Sequence, residues 1–298
     1  MQVTGWYLKG INFDEAPSSL SALEASGSRV DLKKEELLPS AKWEPLLQGK
    51  RHTEKPGWVP LEELATFRRG IATGSNSFFL LSKQRLEELG MGLDRCWPCV
   101  GRASDVKGLI YRTADFDTAV AAGGRLYLLN LSDPLSEAEK HYVENGEKQS
   151  LTSRFLLKQR RPWYSMEQRK VAPIWSAVFG RGDLKFVFNE AAVRSLTNFH
   201  CIYPHASDPT FHKALTLCLN TGGSRESSKM HGRVYGGGLN KFEPHDLKSI
   251  QVPDLRHVPG EVLVEMSDLL AELDRRPEDA SLHGRADALC TRAADLAA

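Results

Sequence analysis

Between Arg154 and Lys170 the chain sets Arg154, Lys158, Arg160, Arg161, Arg169 and Lys170 against a single acid, Glu167, with Trp163 and Tyr164 inside the run. Cations supply contacts to phosphate and aromatic rings supply faces for stacking, a combination suited to nucleic acid. Taken as a charge run alone, the segment reads equally as a solvated helix face. Cys96-Trp97-Pro98-Cys99 has the C-x-x-C spacing of redox and zinc sites, but no second ligand pair lies near it. A buried pair of thiols acting as small apolar groups is the expectation. His200, His205 and His212, among nine histidines, do not fall at metal-ligand spacing, so no metal site is expected. Neither a G-x-S-x-G elbow nor a Walker-type phosphate loop occurs, which removes the common hydrolase and ATPase classes. Asp183-x-Lys185 and Glu144 to Lys148 could be forced into a nuclease pattern, but acids beside lysines are ordinary surface features.

The whole chain carries a formal charge of only +1 over 298 residues, so any nucleic-acid surface must be a local patch. An apolar content of 41% is enough for a sizeable core and one large or two modest domains. The apolar stretches Phe78 to Leu81 and Val171 to Phe179 are far shorter than the roughly 20 residues of a membrane span. Met1 to Gly10 lacks a signal-peptide pattern, and five scattered cysteines suit reduced thiols, which together give a cytoplasmic expectation.

Turn residues and periodicity give the elements that must carry these groups. Residues 1–55 have mixed charge and end at Pro56, Gly57 and Pro60, which reads as a linker or join into a main domain over 56–256. Phe78-Phe79-Leu80-Leu81, Leu126 to Leu129, Val171 to Phe179 and Lys185 to Phe188 read as strands. Ser82 to Gly90, Ser136 to Glu147 and Pro209 to Leu219 read as helices, the second opened by a Ser136-x-x-Glu139 capping box. Val262, Leu263, Met266, Leu269, Leu270 and Leu273 fall on one helix face, so 257–298 is expected to form a helical tail. The predicted class is α+β: a sheet-rich, mixed domain with C-terminal helices.

Four segments, taken in order, carry a family resemblance. The first is Val59-Pro60-Leu61 followed by Phe67-Arg68-Arg69-Gly70-Ile71-Ala72-Thr73-Gly74-Ser75-Asn76-Ser77-Phe78-Phe79-Leu80. It reads as strand, polar glycine loop and strand, with Arg68, Arg69, Thr73, Ser75 and Asn76 as groups for phosphates or base edges, or as an ordinary hairpin with a solvated tip. The second is Pro98-Cys99-Val100-Gly101-Arg102 with Asp105-Val106-Lys107-Gly108-Leu109, where Arg102 and Lys107 suit phosphate contact. The third runs from Arg160-Arg161-Pro162-Trp163-Tyr164 through Ala172-Pro173-Ile174 to Phe188-Asn189 and Asn198; Trp163 and Tyr164 serve either DNA contact or core packing. The fourth is Leu219-Asn220, then Arg233-Val234-Tyr235-Gly236-Gly237-Gly238-Leu239-Asn240-Lys241-Phe242-Glu243-Pro244, Asp246-Leu247 and Val252-Pro253. Glycines after a tyrosine let backbone approach a ligand closely, the alternative being a flexible linker.

These segments, spanning roughly residues 56 to 256, resemble the C-terminal target-recognition region of TaqI-like and Eco57I-like adenine-N6 DNA methyltransferases of restriction-modification systems. The resemblance implies sequence-specific recognition of double-stranded DNA, with Arg68, Arg69, Thr73, Ser75, Asn76, Arg102, Lys107, Arg161, Trp163, Tyr164, Arg233, Tyr235, Gly237 and Lys241 as contact candidates. Adenine-N6 transfer needs an N-P-P-Y type tetrapeptide for the flipped base, and this sequence contains no Pro-Pro pair. Phe179-Gly180-Arg181-Gly182 has the look of an F-x-G-x-G cofactor loop, but two glycines between strand-like runs read more simply as a hairpin turn. The expectation is therefore no catalytic residue and no cofactor in this chain, with S-adenosylmethionine held by a catalytic domain or partner subunit. The rival reading is a protein-interaction or scaffold subunit of a defence system that uses the C-terminal helices.

Overall fold

Apolar runs without polar alternation belong to strands covered on both faces, and three of them build the middle of the structure: Ile174–Ala177, Phe186–Asn189 and Phe199–Pro204. The computed structural model describes residues 2–7, 19–33, 55–181, 184–229, 233–235 and 239–298. It divides into two units, 1–55 and 56–298. In the first, β1 (Gln2–Tyr7), α1 (Leu20–Ser26) and β2 (Ser28–Lys33) follow one another, and β1 pairs antiparallel with β2, Gln2 opposite Lys33. Thr4 Oγ1 donates to Asp31 at 2.7 Å across that pair.

In chain order the larger unit runs β3 (Trp58–Pro60), β4 (Ala65–Arg69), α2 (Asn76–Phe79), β5 (Leu80–Leu81), α3 (Lys83–Glu88), β6 (Cys96–Val100), β7 (Ile110–Tyr111), α4 (Thr113–Ala121), β8 (Tyr127–Leu129) and α5 (Glu137–Lys148). There follow β9 (Ile174–Ala177), β10 (Phe179–Arg181), β11 (Phe186–Asn189), β12 (Arg194–Ser195), β13 (Phe199–Pro204), α6 (Pro209–Leu219) and α7 (Gly222–Lys229). The chain ends with β14 (Arg233–Tyr235), β15 (Leu239–Lys241), β16 (Gln251–Pro253), α8 (Gly260–Arg275) and α9 (Ala280–Ala297). The fold is α+β with mixed sheets and C-terminal helices, as expected.

A five-stranded sheet of order β4-β13-β9-β11-β7 is the centre. Because side chains alternate along a strand, Ile174, Phe186, Phe188 and Ile202 face one layer, while Trp175, Val187, Phe199 and Cys201 face the other. The first layer is closed by α6, α8 and α9. On α8 the predicted stripe is buried at Val262, Met266, Leu269, Leu270 and Leu273, with Leu263 partly buried against the same core. Each such side chain contributes roughly 1.5–3 kcal/mol on burial. A second sheet, β12-β6-β8-β5, packs with Phe78, Phe79 and Leu86 into a separate core.

Three local readings change. Phe78 and Phe79 end a short helix, and only Leu80–Leu81 is strand. A turn closed by Thr73 Oγ1 donating to Asn76 starts that helix, and core packing of both rings outweighs their strand preference. Phe179–Arg181 is strand β10, paired antiparallel with β15, so Gly180 sits opposite Asn240 and not in a tight hairpin turn. Its partner lies some sixty residues away, where no local signal could point to it. Gly70 is required by contact, not by turning: a Cβ there would lie 2.1 Å from the Leu196 carbonyl oxygen, where Ile71 bridges Leu196.

One carboxylate ties the helical layer to a predicted loop. Asp274 of α8, almost fully buried, accepts from the backbone N–H groups of Leu109 at 2.5 Å and Ile110 at 3.0 Å, and from Arg112 at 2.5 Å. Removing it leaves two amides without their partner and leaves Arg112, one-third exposed, with only Glu190, at 3.9 Å, among the described residues. Asp274→Ala should lower unfolding free energy by about 2–3 kcal/mol, the scale of buried amides left unsatisfied, measured by urea denaturation; a loss below about 1 kcal/mol would show that the loop does not depend on this carboxylate.

Candidate nucleic-acid interface

The outer strand of the central sheet carries the first predicted cations. On β4, Arg68 is paired in register with Cys201 and Arg69 with His200, and both side chains reach solvent. Arg69 lies 3.9 Å from Glu167, whereas Arg68 has no ion-pair partner among the described residues. A sheet edge leaves backbone and side chains open, so this is where a basic strand can meet an outside ligand.

The loop after β4 is held from the segment 154–170. Arg160 donates to the carbonyls of Ala72 at 2.6 Å and Thr73 at 3.1 Å, and Arg154 to that of Gly74 at 3.2 Å. Glu167 accepts from the Ala72 N–H at 3.5 Å and pairs with Arg169 and Arg69. Gly74, at φ +81°, adopts a backbone that L side chains rarely take, and a Cβ there would come within 2.8 Å of buried Leu157. Burial pulls the Arg160 guanidinium below its ordinary pKa, with Glu167 acting against that shift. The two segments, some ninety residues apart, therefore form one mortised ledge.

The predicted contact residues divide by location. Thr73 and Ser75 are buried, and the Ser75 N–H is spent on Thr73 Oγ1 at 3.0 Å, so their side chains shape the loop. Asn76, exposed, accepts from Thr73. Arg161 is exposed and donates to the carbonyls of Lys158 and Arg160 at 2.8 Å. Trp163 packs edge-on or tilted against Phe78, Phe79 and Tyr164 and donates to Glu147 at 3.1 Å, while Tyr164 is buried with its hydroxyl on Asp133 at 3.0 Å. Both aromatics thus build the wall behind the ledge. Arg102 pairs with Asp105 at 3.2 Å and Lys107 is exposed on the neighbouring turn, which Lys185 holds by donating to the Val106 and Lys107 carbonyls at 2.9 Å. Lys241 is ion-paired with Glu243 at 2.6 Å on the β10-β15-β14 sheet. Arg233 and Tyr235 lie in β14, paired with Lys241 and Leu239, but their side chains and Gly237 lie outside the described residues.

Arg194 was not among the sequence candidates, yet it completes the basic edge. With Arg169, Lys170, Gly70, Ser195 and Tyr203 it lines a depression beside β4. Its guanidinium lies 3.9 Å from the Trp97 ring centroid, and no carboxylate among the described residues pairs with it. The Nε atoms of Arg194 and Arg169 are buried without a hydrogen-bond partner. Burial lowers the Arg194 pKa, against the pull of Cys99 and Tyr203. A half-buried cation stacked on tryptophan and lacking a counter-ion is what an anion-binding surface requires. No sequence signal marks it, since Val193-Arg194-Ser195 stands far along the chain from the other cations.

The remaining chemistry is structural. Cys96 and Cys99 are buried free thiols, and burial pushes Cys96 up to about 12 and Cys99 higher still, the reverse of a reactive cysteine. Among the described residues no group of histidine, cysteine and acid could hold a metal, and no helix is long and apolar enough to cross a membrane. A cofactor loop must leave a strand and open a helix; Phe179–Arg181 instead sits in a sheet, so these residues do not fit S-adenosylmethionine.

The relatives of this sequence form a class, the type II methyltransferases. Residues 46–282 match the family model of the type II methyltransferase M.Eco57I, C-terminal domain, and the chain belongs to that family. It is 32% identical over 239 residues to the type II methyltransferase M.AccI of Acinetobacter calcoaceticus, covering 80% of this chain and 44% of that protein. It is 24% identical over 245 residues to the type II methyltransferase M.XamI of Xanthomonas campestris pv. amaranthicola, with 80% and 44% covered. The chain thus spans less than half the length of these curated relatives. Remote structural likenesses are to the type IIG restriction endonuclease BpuSI, at TM-score 0.46 and 13% identity over 90% of this chain and 36% of that one, and to the type IIL restriction-modification enzyme MmeI in complex with DNA. The latter has TM-score 0.48 and 12% identity over 80% of this chain and 32% of the other.

The bracing arginine is testable without a ligand. Arg160→Met should cost about 2 kcal/mol of stability, the scale of charged hydrogen bonds, and should speed amide hydrogen exchange at 72–76 while leaving α8 protected. Unchanged exchange at 72–76 would contradict the bracing role.

Proposed function

We propose that this chain is the target-recognition portion of a TaqI-like adenine-N6 DNA methyltransferase of a restriction-modification system, acting on double-stranded DNA in the cytoplasm. The observation that carries this reading is that Lys170 and Arg194, with no ion-pair partner among the described residues, line one depression beside the edge strand that carries Arg68 and beside a loop braced by Arg154 and Arg160. Membership of the M.Eco57I C-terminal family supports it. In this reading the cations take backbone phosphates, which fix register without reading sequence. Asn76 and the exposed tip of the ledge stand nearest the base edges, where an amide pairs with adenine. Arg102, Lys107 and the residues around Arg233, Tyr235, Gly237 and Lys241 extend the contact along the duplex.

Methyl transfer and S-adenosylmethionine belong to residues outside these 298, on a further part of the same polypeptide or on a partner subunit. The strand pairing of Phe179–Arg181, which leaves no cofactor loop there, supports that division. The scaffold reading gains nothing from the C-terminal helices, whose apolar stripes are buried in their own core.

If Arg68 and Arg194 take phosphates, Arg68→Ala and Arg194→Gln should each weaken duplex binding equally for all sequences. Each should also lower the slope of log Kd against log salt by about one. Fluorescence anisotropy over a salt series reads both quantities. Slopes identical to the parent chain in both variants would refute the assignment.

A further inference from the structure

Phe155 stands apart from the other large apolar side chains. It is 73% exposed, more than any other large hydrophobic side chain among the described residues. The exposed residues nearest to it in the chain are polar, among them Arg154, Lys158, Gln159 and Arg161, and Lys158 Nζ lies 5.6 Å from the phenyl centroid. A surface meant for another protein gathers apolar groups into a patch. Here one ring stands alone in a basic surround, which suits a ligand that offers flat apolar faces and negative charge together.

Its position is fixed from both sides. Arg154, the residue before it, donates to the Gly74 carbonyl at 3.2 Å. Leu157, two residues after it, is fully buried beneath Gly74, and Arg160 holds the Ala72 and Thr73 carbonyls. The backbone under the ring is therefore joined to the 72–76 loop, while the ring itself belongs to no core cluster. A phenyl group held in water by a braced turn gains nothing for folding.

We infer that Phe155 is a stacking side chain that lies against a base of the bound duplex, entering a base step or occupying the space vacated by an extruded nucleotide. Wedges of this kind unstack a step, and the flanking cations hold the two phosphates beside it. Stacking tolerates any base, so Phe155 adds affinity and distortion but no sequence preference. The inference rests on the DNA-recognition reading.

The test uses the whole chain and duplexes carrying 2-aminopurine at successive positions. The parent chain should raise 2-aminopurine fluorescence at one or two adjacent positions, the mark of a disturbed stack. Phe155→Ala should bind about tenfold more weakly, in line with the loss of one base–aromatic stack, and should lose the signal, with its melting temperature unchanged because the ring is exposed. Phe155→Trp should restore both. Phe155→Ala that binds with parental affinity and gives the parental signal overturns the stacking role while leaving DNA recognition intact. A parent chain that binds no duplex at all defeats the recognition reading, and the stacking role falls with it.

Discussion

The clamp between Arg160, Glu167 and the backbone at Ala72–Thr73 is the constraint on which the candidate surface depends. Two carbonyls and one N–H of an irregular loop would otherwise have to find water or one another. A guanidinium offers a planar fork that can take two carbonyls at once, which an ammonium cannot do with the same geometry. Because Arg160 is half-buried, its charge is answered by Glu167, and Glu167 in turn gathers Arg69 and Arg169. One acid thus organises three arginines and leaves Arg68, Lys170 and Arg194 without carboxylate partners. The net charge of the molecule stays near zero while one edge of one sheet is strongly positive.

That arrangement needs a rigid backing. The central sheet is covered on both faces, by α6, α8 and α9 on one side and by Val100, Val106, Phe116 and Leu126, packed on Trp175 and Phe199, on the other. β4 lies at its edge because β13 is its only ladder neighbour among the described residues, so Arg68 and Arg69 project from a strand that cannot shift register without exposing Ala65 and Phe67. Asp274 extends the same logic to the turn that displays Lys107. The helices that close the core thereby hold two separate cationic loops, one directly and one through the sheet.

Sequence reasoning reached as far as local signals go. The Ser136–Glu139 capping box, the Pro209 helix start and the α8 stripe are written in neighbouring residues, and each lies where its pattern put it. The pairing of β10 with β15, the close approach that makes Gly70 necessary, and the stacking of Arg194 on Trp97 depend on residues sixty to a hundred or more positions apart. No window on the sequence contains both partners. The basic segment 154–170 is legible as composition, but its division of labour is not: Arg154 and Arg160 are spent on carbonyls, Trp163 and Tyr164 on packing, and Phe155, lacking charge, carries no local signal.

If neutralised phosphates hold the duplex, this chain engages DNA by itself. The most direct measurement is the affinity of the chain for a duplex across a salt series, without any catalytic partner. Binding that weakens steeply, with log K falling by about 0.9 per phosphate contacted for each unit of log salt, is the predicted result. Absence of binding at low salt, or an affinity that salt leaves unchanged, would contradict it.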